Sequence, residues 1–444
     1  MAYILPFRAL RYNPERVSLV RTVTQPYDKI SPAMQERYYA ASPFNLVRII
    51  LGKHEPWDGP EENVYTRAAT SFRDWRRQGV FRQDGEPSIY VYAQRFVVPG
   101  TQAEVERRGF IALGRLEDYS AGVVFRHEQT LARPKADRLA LLRATRAHFG
   151  QIFMLYRDNG EIDSLIAPET SPLAEVTDEY GVLHRLWRVF DAGLLESVCA
   201  RMRDKKLIIA DGHHRYETAL NYRDERRAAT TQSAPPREPG VLPPFEGLYP
   251  PHDFLMMTFV NMDGKGVVIL PTHRVLHGLP SFSPESFGAS ARAYFNLEEV
   301  DPAIDPARAA AILGQAGQVG AAFLAATASR VFLLHTPKAP PDLFPGVSLR
   351  QQALDVVQLH KVVLERMLGL SPESIRNQQN LSYVREAGEA LAAVRGGSAN
   401  VAFLMNPCRM EQLRDLAFAG EVLPQKSTDF YPKLLSGLTI YALE

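Results

Sequence analysis

Several features that would identify a class of protein are scarce in this chain of 444 residues. Only two cysteines occur, Cys199 and Cys408, and no Cys-x-x-Cys spacing is present, which disfavours a disulfide framework and a cysteine zinc site. No uncharged apolar run is long enough to span a bilayer. The N-terminal sequence also lacks the basic segment followed by an apolar segment that is typical of a secretory signal. We therefore expect a cytoplasmic protein without a membrane partner.

An excess of charge of one sign is also lacking. The 51 Lys and Arg residues balance 50 Asp and Glu residues, for a net charge of +1. Proteins that bind nucleic acid usually carry a clear basic excess, so no nucleic-acid partner is expected. The 45% hydrophobic and 23% charged residues are typical of a globular protein, and the length favours two or three domains.

Local patterns predict a mixed α/β (α+β) protein. Ser31-Pro32 is typical of an N-cap followed by a first-turn proline, which predicts a helix over 34–39. β-Branched and aromatic runs over 88–98 and 108–114 predict an antiparallel ribbon. The remaining predicted elements are strands over 45–51, 151–156, 205–210, 254–260 and 266–271, the last two paired, and helices over 64–78, 139–146 and 216–227. The Pro-rich, polar stretch 230–251 predicts a flexible loop.

A composition shift suggests how the chain is divided. Ala- and Gly-rich helical sequence begins near Pro302, and we place a boundary near residue 290. The range 1–290 is predicted to contain the catalytic region, with an α/β part at its N-terminus. The range 291–444 is predicted to be a second α/β region that could complete the site.

The strongest chemical signal is the turn Asp211-Gly212-His213-His214-Arg215, which follows an apolar strand and precedes a helix. The start of a helix combines backbone N–H groups with the positive end of the helix dipole, so it attracts anions. Gly212 permits close approach of the backbone, and Arg215 matches the geometry of phosphate oxygens. Asp211 could hold a Mg²⁺ ion or accept a proton, and His213 and His214 add further donors, so all three are predicted catalytic residues.

Helix capping and zinc binding account for this turn less well than phosphate binding. A single Asp at this position would indicate a helix cap, but capping alone does not account for Asp, Gly, two His and Arg in succession. Zinc is disfavoured because adjacent histidines diverge and no His-x-x-x-His spacing follows. We therefore expect no zinc, and also no haem or flavin.

A second polar cluster surrounds His127-Glu128. An acid beside cations suits a general base flanked by phosphate-binding groups, so Glu128 is the candidate base, with Lys135 and Arg138 as supporting cations. An exposed loop closed by salt bridges explains the same residues equally well.

Three shorter motifs carry weaker signals. Lys426-Ser427-Thr428 is similar to part of a phosphate cradle, but the glycine-rich P-loop pattern is absent. Tyr27-Asp28 follows a proline, and His273-Arg274 follows an apolar run. The predicted phosphate- or nucleotide-binding residues are Gly212, Arg215, Thr218, Lys135, Arg138, Lys426, Ser427 and Thr428. The predicted substrate-binding residues are Tyr27, Asp28, His127, His273 and Arg274.

These motifs resemble those of a bacterial and archaeal family of unknown function numbered 1015, and the resemblance runs along nearly the whole chain. The 211–215 turn is also similar to the nucleotide-binding turn of the ParB/sulfiredoxin-like superfamily, which implies a core of that fold. Sulfiredoxin chemistry needs a cysteine in the turn, and the ParB class binds DNA, so neither fits this chain. Free-serine kinases carry a similar Asp-Gly-His-His-Arg turn and are the nearest functional analogy.

The resemblance implies a phosphotransferase that moves phosphate between a nucleotide and a small hydroxylated metabolite, with serine or phosphoserine first. ATP or ADP and Mg²⁺ are the implied cofactors. Two alternatives stay open, a nucleotide-binding regulatory protein without turnover and a metal-dependent phosphohydrolase.

Overall fold

The computed structural model describes residues 1–128, 132–168, 170–229 and 249–443. Two compact units make up the chain. Unit 1 comprises Met1–Arg126, Thr130–Val267 and Pro432–Glu444, and unit 2 comprises His127–Gln129 and Val268–Tyr431. The predicted loop 230–251 lies largely outside the described residues. The domain ranges 1–290 and 291–444 stay a prediction.

Strands and helices alternate in unit 1, so the mixed α/β class is confirmed. Its strands are β1 (Ile4–Leu5), β2 (Leu10–Tyr12), β3 (Phe81–Gln83), β4 (Ile89–Val97), β5 (Glu104–Arg115), β6 (Val124–Phe125), β7 (Ala147–His148), β8 (Ile152–Tyr156), β9 (Ala174–Thr177), β10 (Leu183–Val189), β11 (Leu207–Asp211) and β12 (Phe254–Asn261), with a last strand at Tyr441–Ala442. Its helices are α1 (Pro32–Ala41), α2 (Val47–Ile50), α3 (Val64–Arg77), α4 (Ala132–Thr145), α5 (Glu161–Leu165), α6 (Ala192–Met202) and α7 (His213–Ala229), with a short 3₁₀ turn at Tyr27–Lys29.

One large mixed sheet organises unit 1. Its strand order is β6-β11-β8-β12-β5-β4-β10-β9, with β1 added to β5. The β6–β11 and β8–β12 pairs are parallel and the remaining pairs are antiparallel. Strands β8 and β12 are buried along their whole length, which places the core at the centre of the sheet. Strand β11, which precedes the predicted phosphate turn, therefore lies against a rigid support.

Several predicted elements are confirmed where their signals are local. Ser31 Oγ accepts the Met34 N–H at the start of α1, with Pro32 in the first turn. Strands β4 and β5 form the predicted antiparallel ribbon. Helix α3 ends one residue before Gln78, and Gly79 follows with a φ of 72°. Caps and glycine stops act within a few residues, so they can be recognised without the rest of the chain.

The strand predicted over 45–51 is wrong, because Val47–Ile50 form the short helix α2. The Asn45 side chain accepts the Val47 N–H, which favours a helical start. Ile49 and Ile50 are buried in a cluster with Trp75 of α3. Local capping and tertiary packing together outweigh the strand preference of the β-branched side chains.

The predicted pairing of 254–260 with 266–271 is also wrong. Strand β12 instead lies between β5 and β8. All eight residues of β12 are buried, and a strand buried on both faces takes a central position in a sheet. The second segment forms a strand of unit 2.

Unit 2 is a second α/β unit with its own antiparallel sheet. Its strands are β13 (Val268–Leu270), β14 (His273–Leu276), β15 (Asn296–Val300), β16 (Ala322–Ala326), β17 (Val331–His335), β18 (Leu381–Val384), β19 (Val401–Met405) and β20 (Asp429–Tyr431). Its helices are α8 (Pro284–Ala291), α9 (Pro306–Ala316), α10 (Leu349–Gln352), α11 (Asp355–Gln358), α12 (Pro372–Arg376), α13 (Ala387–Arg395) and α14 (Met410–Phe418), and α11 runs into a π-helical segment, Leu359–Met367. The sheet order is β15-β17-β16-β19-β14-β18, and β13 pairs separately with β20.

Among the described residues, no helix combines the length and the apolar character that crossing a membrane requires.

Candidate functional site

The phosphate turn predicted from the sequence joins β11 to α7. A bulge at the end of β11, where Ile209 is paired with Met154 and Asp211 with Phe153, redirects the strand before the turn. Helix α7 begins at His213, three residues earlier than predicted, so both histidines and Arg215 belong to its first turn. The Gly212 carbonyl accepts the Tyr216 N–H at 2.9 Å. The helix therefore directs its positive end at the turn that contains Asp211 and Gly212.

The backbone conformation at position 212 and the atoms around it both require a glycine. Its φ is 99°, a region that side-chain-bearing residues rarely adopt. A Cβ at this position would lie 3.0 Å from Ile152 Cδ1 and 3.1 Å from Arg215 Nη2. The space that the sequence suggested for a ligand is thus taken partly by the Arg215 guanidinium.

Asp211 accepts from two cations. Arg215 Nη2 lies 3.0 Å from Oδ2, and Lys433 Nζ lies 3.2 Å from Oδ1. Burial by itself would raise the pKa of the Asp211 carboxyl, but Lys433, Arg215 and Lys29 outweigh burial and hold that pKa well below its usual range. Asp211 is therefore a permanent anion that fixes cations in place. It is a weak proton acceptor, since a general base works best with a pKa near the working pH.

Lys433 and Lys29 belong to this cluster but are absent from the predicted site residues, although Lys433 ends the polar run 425–433 that contains the Lys426-Ser427-Thr428 motif. The backbone carbonyl of Lys433 accepts from Gln94 Nε2 at 2.8 Å, and the carbonyl of Pro432 accepts from Arg107. Strands β4 and β5 thus hold the C-terminal segment so that its lysine reaches Asp211, 222 residues earlier in the chain. A lone lysine in a polar run carries no local signal of such a partner.

Arg215 is held at both ends of its guanidinium. Nη1 donates to the Gln151 carbonyl at 2.6 Å, while Nη2 donates to Asp211. A Cβ on Gly150 would lie 3.0 Å from Nη1, so this second glycine leaves room for the arginine. A guanidinium has five N–H donors, and a fixed orientation makes those beyond these two contacts suitable for an oxyanion.

A small cavity of about 70 Å³ lies beside this arginine, and it brings four of the predicted residues together. Tyr27, Arg138, Arg215 and Thr218 all line it. The Arg138 guanidinium carbon stands 4.1 Å from the centre of the Tyr27 ring, a cation–π contact. Burial raises the pKa of the Tyr27 hydroxyl. The cavity thus has an aromatic wall close to the start of α7.

The remaining predicted residues of unit 1 are placed less centrally. Lys135 lies on α4, not in a loop, and pairs with Glu217 at 2.9 Å. The Thr218 hydroxyl donates to the His214 carbonyl, an ordinary contact within a helix. Asp28 is exposed on the 3₁₀ turn next to Lys29.

Unit 2 brings Glu128 and the Lys426 segment together, although they are 298 residues apart. The Lys426 N–H donates to Glu128 Oε1 at 2.8 Å. His127 Nε2 lies 2.7 Å from Thr428 Oγ1, and Ser427 Oγ donates to the Pro424 carbonyl. The two hydroxyls thus have partners within the protein. That these residues serve one site with Asp211 stays a prediction.

His273 and Arg274, both predicted to bind substrate, are buried in strand β14 of unit 2. His273 Nδ1 accepts the Met405 N–H, and burial lowers the pKa of the imidazole to about 4, so the ring is neutral and links β14 to β19. Arg274 Nη2 donates to the Lys426 carbonyl at 3.1 Å. Burial lowers the pKa of Arg274 to about 10. Both side chains thus have structural contacts within unit 2.

The described ranges contain no group of three or more His, Cys, Asp or Glu side chains that could hold a metal ion. Asp211, the predicted Mg²⁺ ligand, has one cation on each of its oxygens. The carboxylate does not fit a resident divalent ion, because that ion would have to displace Lys433 or Arg215.

The family model described as Protein of unknown function (DUF1015) matches residues 4–361, and the chain belongs to this family. The predicted family membership is therefore confirmed. No curated protein matches the chain.

Three solved structures are similar to this chain at low identity. A conserved hypothetical protein from Pyrococcus furiosus is 13% identical with a TM-score of 0.35, covering 72% of this chain and 92% of its own. A free serine kinase in complex with AMP is 13% identical with a TM-score of 0.33, covering 71% and 88%. SbnI with C-terminal truncation from Staphylococcus aureus is 11% identical with a TM-score of 0.36, covering 75% and 87%. Membership of the family rests on the matched family model and not on these structures.

Proposed function

We propose that unit 1 binds the phosphate of a nucleotide at the start of α7 and transfers phosphate between that nucleotide and a small hydroxylated metabolite. One observation carries the proposal. Lys433, Arg215 and Lys29 are gathered around Asp211 at the N-terminus of a helix of 17 residues. Three cations against one carboxylate leave a net positive charge where the helix dipole is also positive.

The chemistry follows from these groups. Phosphoryl transfer depends mainly on positioning and on neutralising the charge of the transferring group. Arg215 and Lys433 supply that charge, and Asp211 holds them in place. The cavity lined by Tyr27 and Arg138 lies beside Arg215 and offers an aromatic wall to a nucleotide ring. Mg²⁺ enters this proposal as the ion that ATP or ADP carries on its phosphates.

Serine or phosphoserine is the first metabolite to test, because the resemblance of the 211–215 turn to that of free-serine kinases suggests it. One observation favours a second candidate, a nucleotide-binding protein without turnover. The cations that hold the pKa of Asp211 low also remove it as a proton acceptor, and a binding module needs no proton acceptor.

The test is nucleotide binding by calorimetry together with phosphate transfer followed by ³¹P NMR, using ATP or ADP with Mg²⁺, with and without serine or phosphoserine. We expect Lys433→Gln to weaken ADP binding at least about tenfold, the usual cost of losing one charged hydrogen bond. Lys205→Gln is the matched control, because Lys205 pairs with Asp158 at 2.9 Å elsewhere in unit 1.

The outcomes separate the candidates. Nucleotide binding that Lys433→Gln weakens and Lys205→Gln spares, with transfer to serine, supports the phosphotransferase. The same binding without transfer to any acceptor supports the binding protein. Absence of binding to ATP and ADP, or equal loss in both variants, overturns both candidates.

A further inference from the structure

A second cavity of unit 1 has a volume of about 460 Å³ and lies beside β2, β3 and β10. Charged and aromatic side chains dominate its wall. They are Arg11, Arg82, Asp84, Trp187, Arg188 and Phe190. The motifs singled out in the sequence include none of these residues.

Two of the arginines are forced together by strand pairing. In the β2–β3 ribbon Arg11 stands directly opposite Arg82, so both side chains project from the same face. Like charges at directly opposed positions destabilise a sheet. Arg188 adds a third guanidinium, with Nη1 3.8 Å from Asp84 Oδ1. An anion in the cavity would relieve this repulsion.

Asp84 balances only part of this positive charge. Its Oδ2 accepts from Arg11 Nε at 2.8 Å and from the Tyr90 hydroxyl at 2.6 Å. Its Oδ1 accepts from Arg11 Nη2. One carboxylate against three guanidiniums leaves a net charge of about +2 on the described lining, by simple counting of ionised groups. None of the described residues accepts a hydrogen bond from the Arg82 side chain.

An apolar surface lies next to these charges. Phe190 is 52% exposed and Leu173 is 43% exposed, and both line the cavity. The Arg188 guanidinium carbon stands 4.7 Å from the centre of the Phe190 ring. Trp187 is held in place by its indole N–H, which donates to the Thr170 carbonyl at 2.9 Å. Phe190 therefore offers an exposed aromatic surface beside guanidinium donors, and Trp187 also lines the cavity.

We propose that this cavity is a second small-molecule site, which binds an organic anion that combines an oxyanion with a planar ring. Arg82 and Arg188 bind the oxygens of a phosphate or a carboxylate, because a guanidinium matches the geometry of both groups. Phe190 contacts the ring, and Trp187, which also lines the cavity, reports the binding.

The proposed site is separate from the Asp211 cluster and does not depend on the proposed function. Strand β10 and strand β11 are five positions apart in the sheet order, which corresponds to about 24 Å at the usual strand spacing. Arg188 belongs to β10 and Asp211 to β11. A ligand of the size of phenyl phosphate cannot contact both.

Tryptophan fluorescence tests the proposal directly, because Trp187 is one of only three tryptophans in the chain. The full chain is titrated with phenyl phosphate, with benzoate and with inorganic phosphate. We expect saturable changes in fluorescence with phenyl phosphate or benzoate. The compound that binds more tightly shows whether the site prefers a phosphate or a carboxylate. Inorganic phosphate should bind at least about tenfold more weakly, because it lacks the ring.

Variants show which residues produce the fluorescence change and which bind the anion. Trp187→Phe should abolish the fluorescence change. Arg82→Gln and Arg188→Gln should each weaken binding about tenfold, and Arg82 is exposed, so its variant leaves the core untouched. Arg157→Gln, which removes an exposed arginine paired with Asp263, should bind as the unaltered chain does, and so should Lys433→Gln.

Three results would overturn the proposal. They are no saturable change with either ring compound, a change that survives in Trp187→Phe, or equal affinities in Arg82→Gln, Arg188→Gln and Arg157→Gln. The two proposals are tested separately by Lys433→Gln. If this variant fails to bind nucleotide but still binds the ring compound, the Asp211 cluster has lost its ligand and the second site is intact.

Discussion

Asp211 in unit 1 and Asp355 in unit 2 are both partly shielded from water, yet their carboxyl pKa values move in opposite directions. Burial acts on both groups in the same sense, because it disfavours the charged form. At Asp211 three cations outweigh burial. At Asp355 burial prevails and raises the pKa from 3.8 to about 6.

The partners explain the difference. Asp355 accepts from neutral donors at long distances, the Ala322 N–H at 3.3 Å and Asn406 Nδ2 at 3.4 Å. Asp211 accepts from a lysine and an arginine at about the same distances. The charge of the donor, not the depth of burial, thus decides whether each carboxylate is an anchor for cations or a titratable acid.

The largest effect is expected from Asp211→Asn, which removes the charge that distinguishes the two carboxylates. Turnover in the ³¹P transfer assay should fall by a factor on the order of a hundred or more, because the cations lose the group that orients them. Phosphate binding should survive, since Lys433 and Arg215 keep their charge.

Asp158→Asn is the control for Asp211→Asn, because it also removes the carboxylate of an Asp–Lys pair in unit 1. Near-normal turnover in a folded Asp211→Asn protein would contradict the assigned role.

Gly212→Ala should have the next largest effect, on the stability of the turn that carries Asp211. We expect a loss of roughly 2 kcal/mol in the free energy of unfolding, from backbone strain together with the contact to Arg215. Urea denaturation measures it. Gly160→Ala isolates the backbone contribution, because Gly160 has a φ of 86° and a Cβ there would meet nothing within 4 Å. Equal losses in the two variants would show that the packing of Arg215 against Gly212 contributes nothing.

The smallest effect concerns Asp355. Its raised pKa means that the folded chain holds this proton more tightly than the unfolded chain, so ionisation costs stability. The cost is absent below about pH 4 and fully present above about pH 6. Asp355→Asn should therefore increase the free energy of unfolding by about 1 kcal/mol at pH 8 and leave it unchanged near pH 4.

Urea denaturation at the two pH values measures the effect of Asp355→Asn. Asp211→Asn should act with the opposite sign, because a depressed pKa contributes stability at pH 8 that is lost in acid. Variants that shift stability in the same direction at pH 8 would refute the comparison between the two carboxylates.

Part of the fold and of the site could be predicted because the signals are local. The Ser31 cap, the β4–β5 ribbon and the turn at Gly212 each depend on residues within a few positions of one another. The same short reach explains the errors. Nothing within 45–51 indicates that Ile49 and Ile50 pack against Trp75. In the same way, the run 254–260 does not indicate that β5 and β8 are its neighbours in the sheet.

The sequence by itself determined the mixed α/β class, the family motif and the polar character of the turn between β11 and α7. Only the tertiary structure decided that Lys433 reaches Asp211 and that Arg11, Arg82 and Arg188 surround one cavity. It also decided that Asp355 accepts from neutral donors. The physical reason is that Coulomb energies and desolvation depend on distance and burial in space, whereas sequence patterns report only neighbours along the chain.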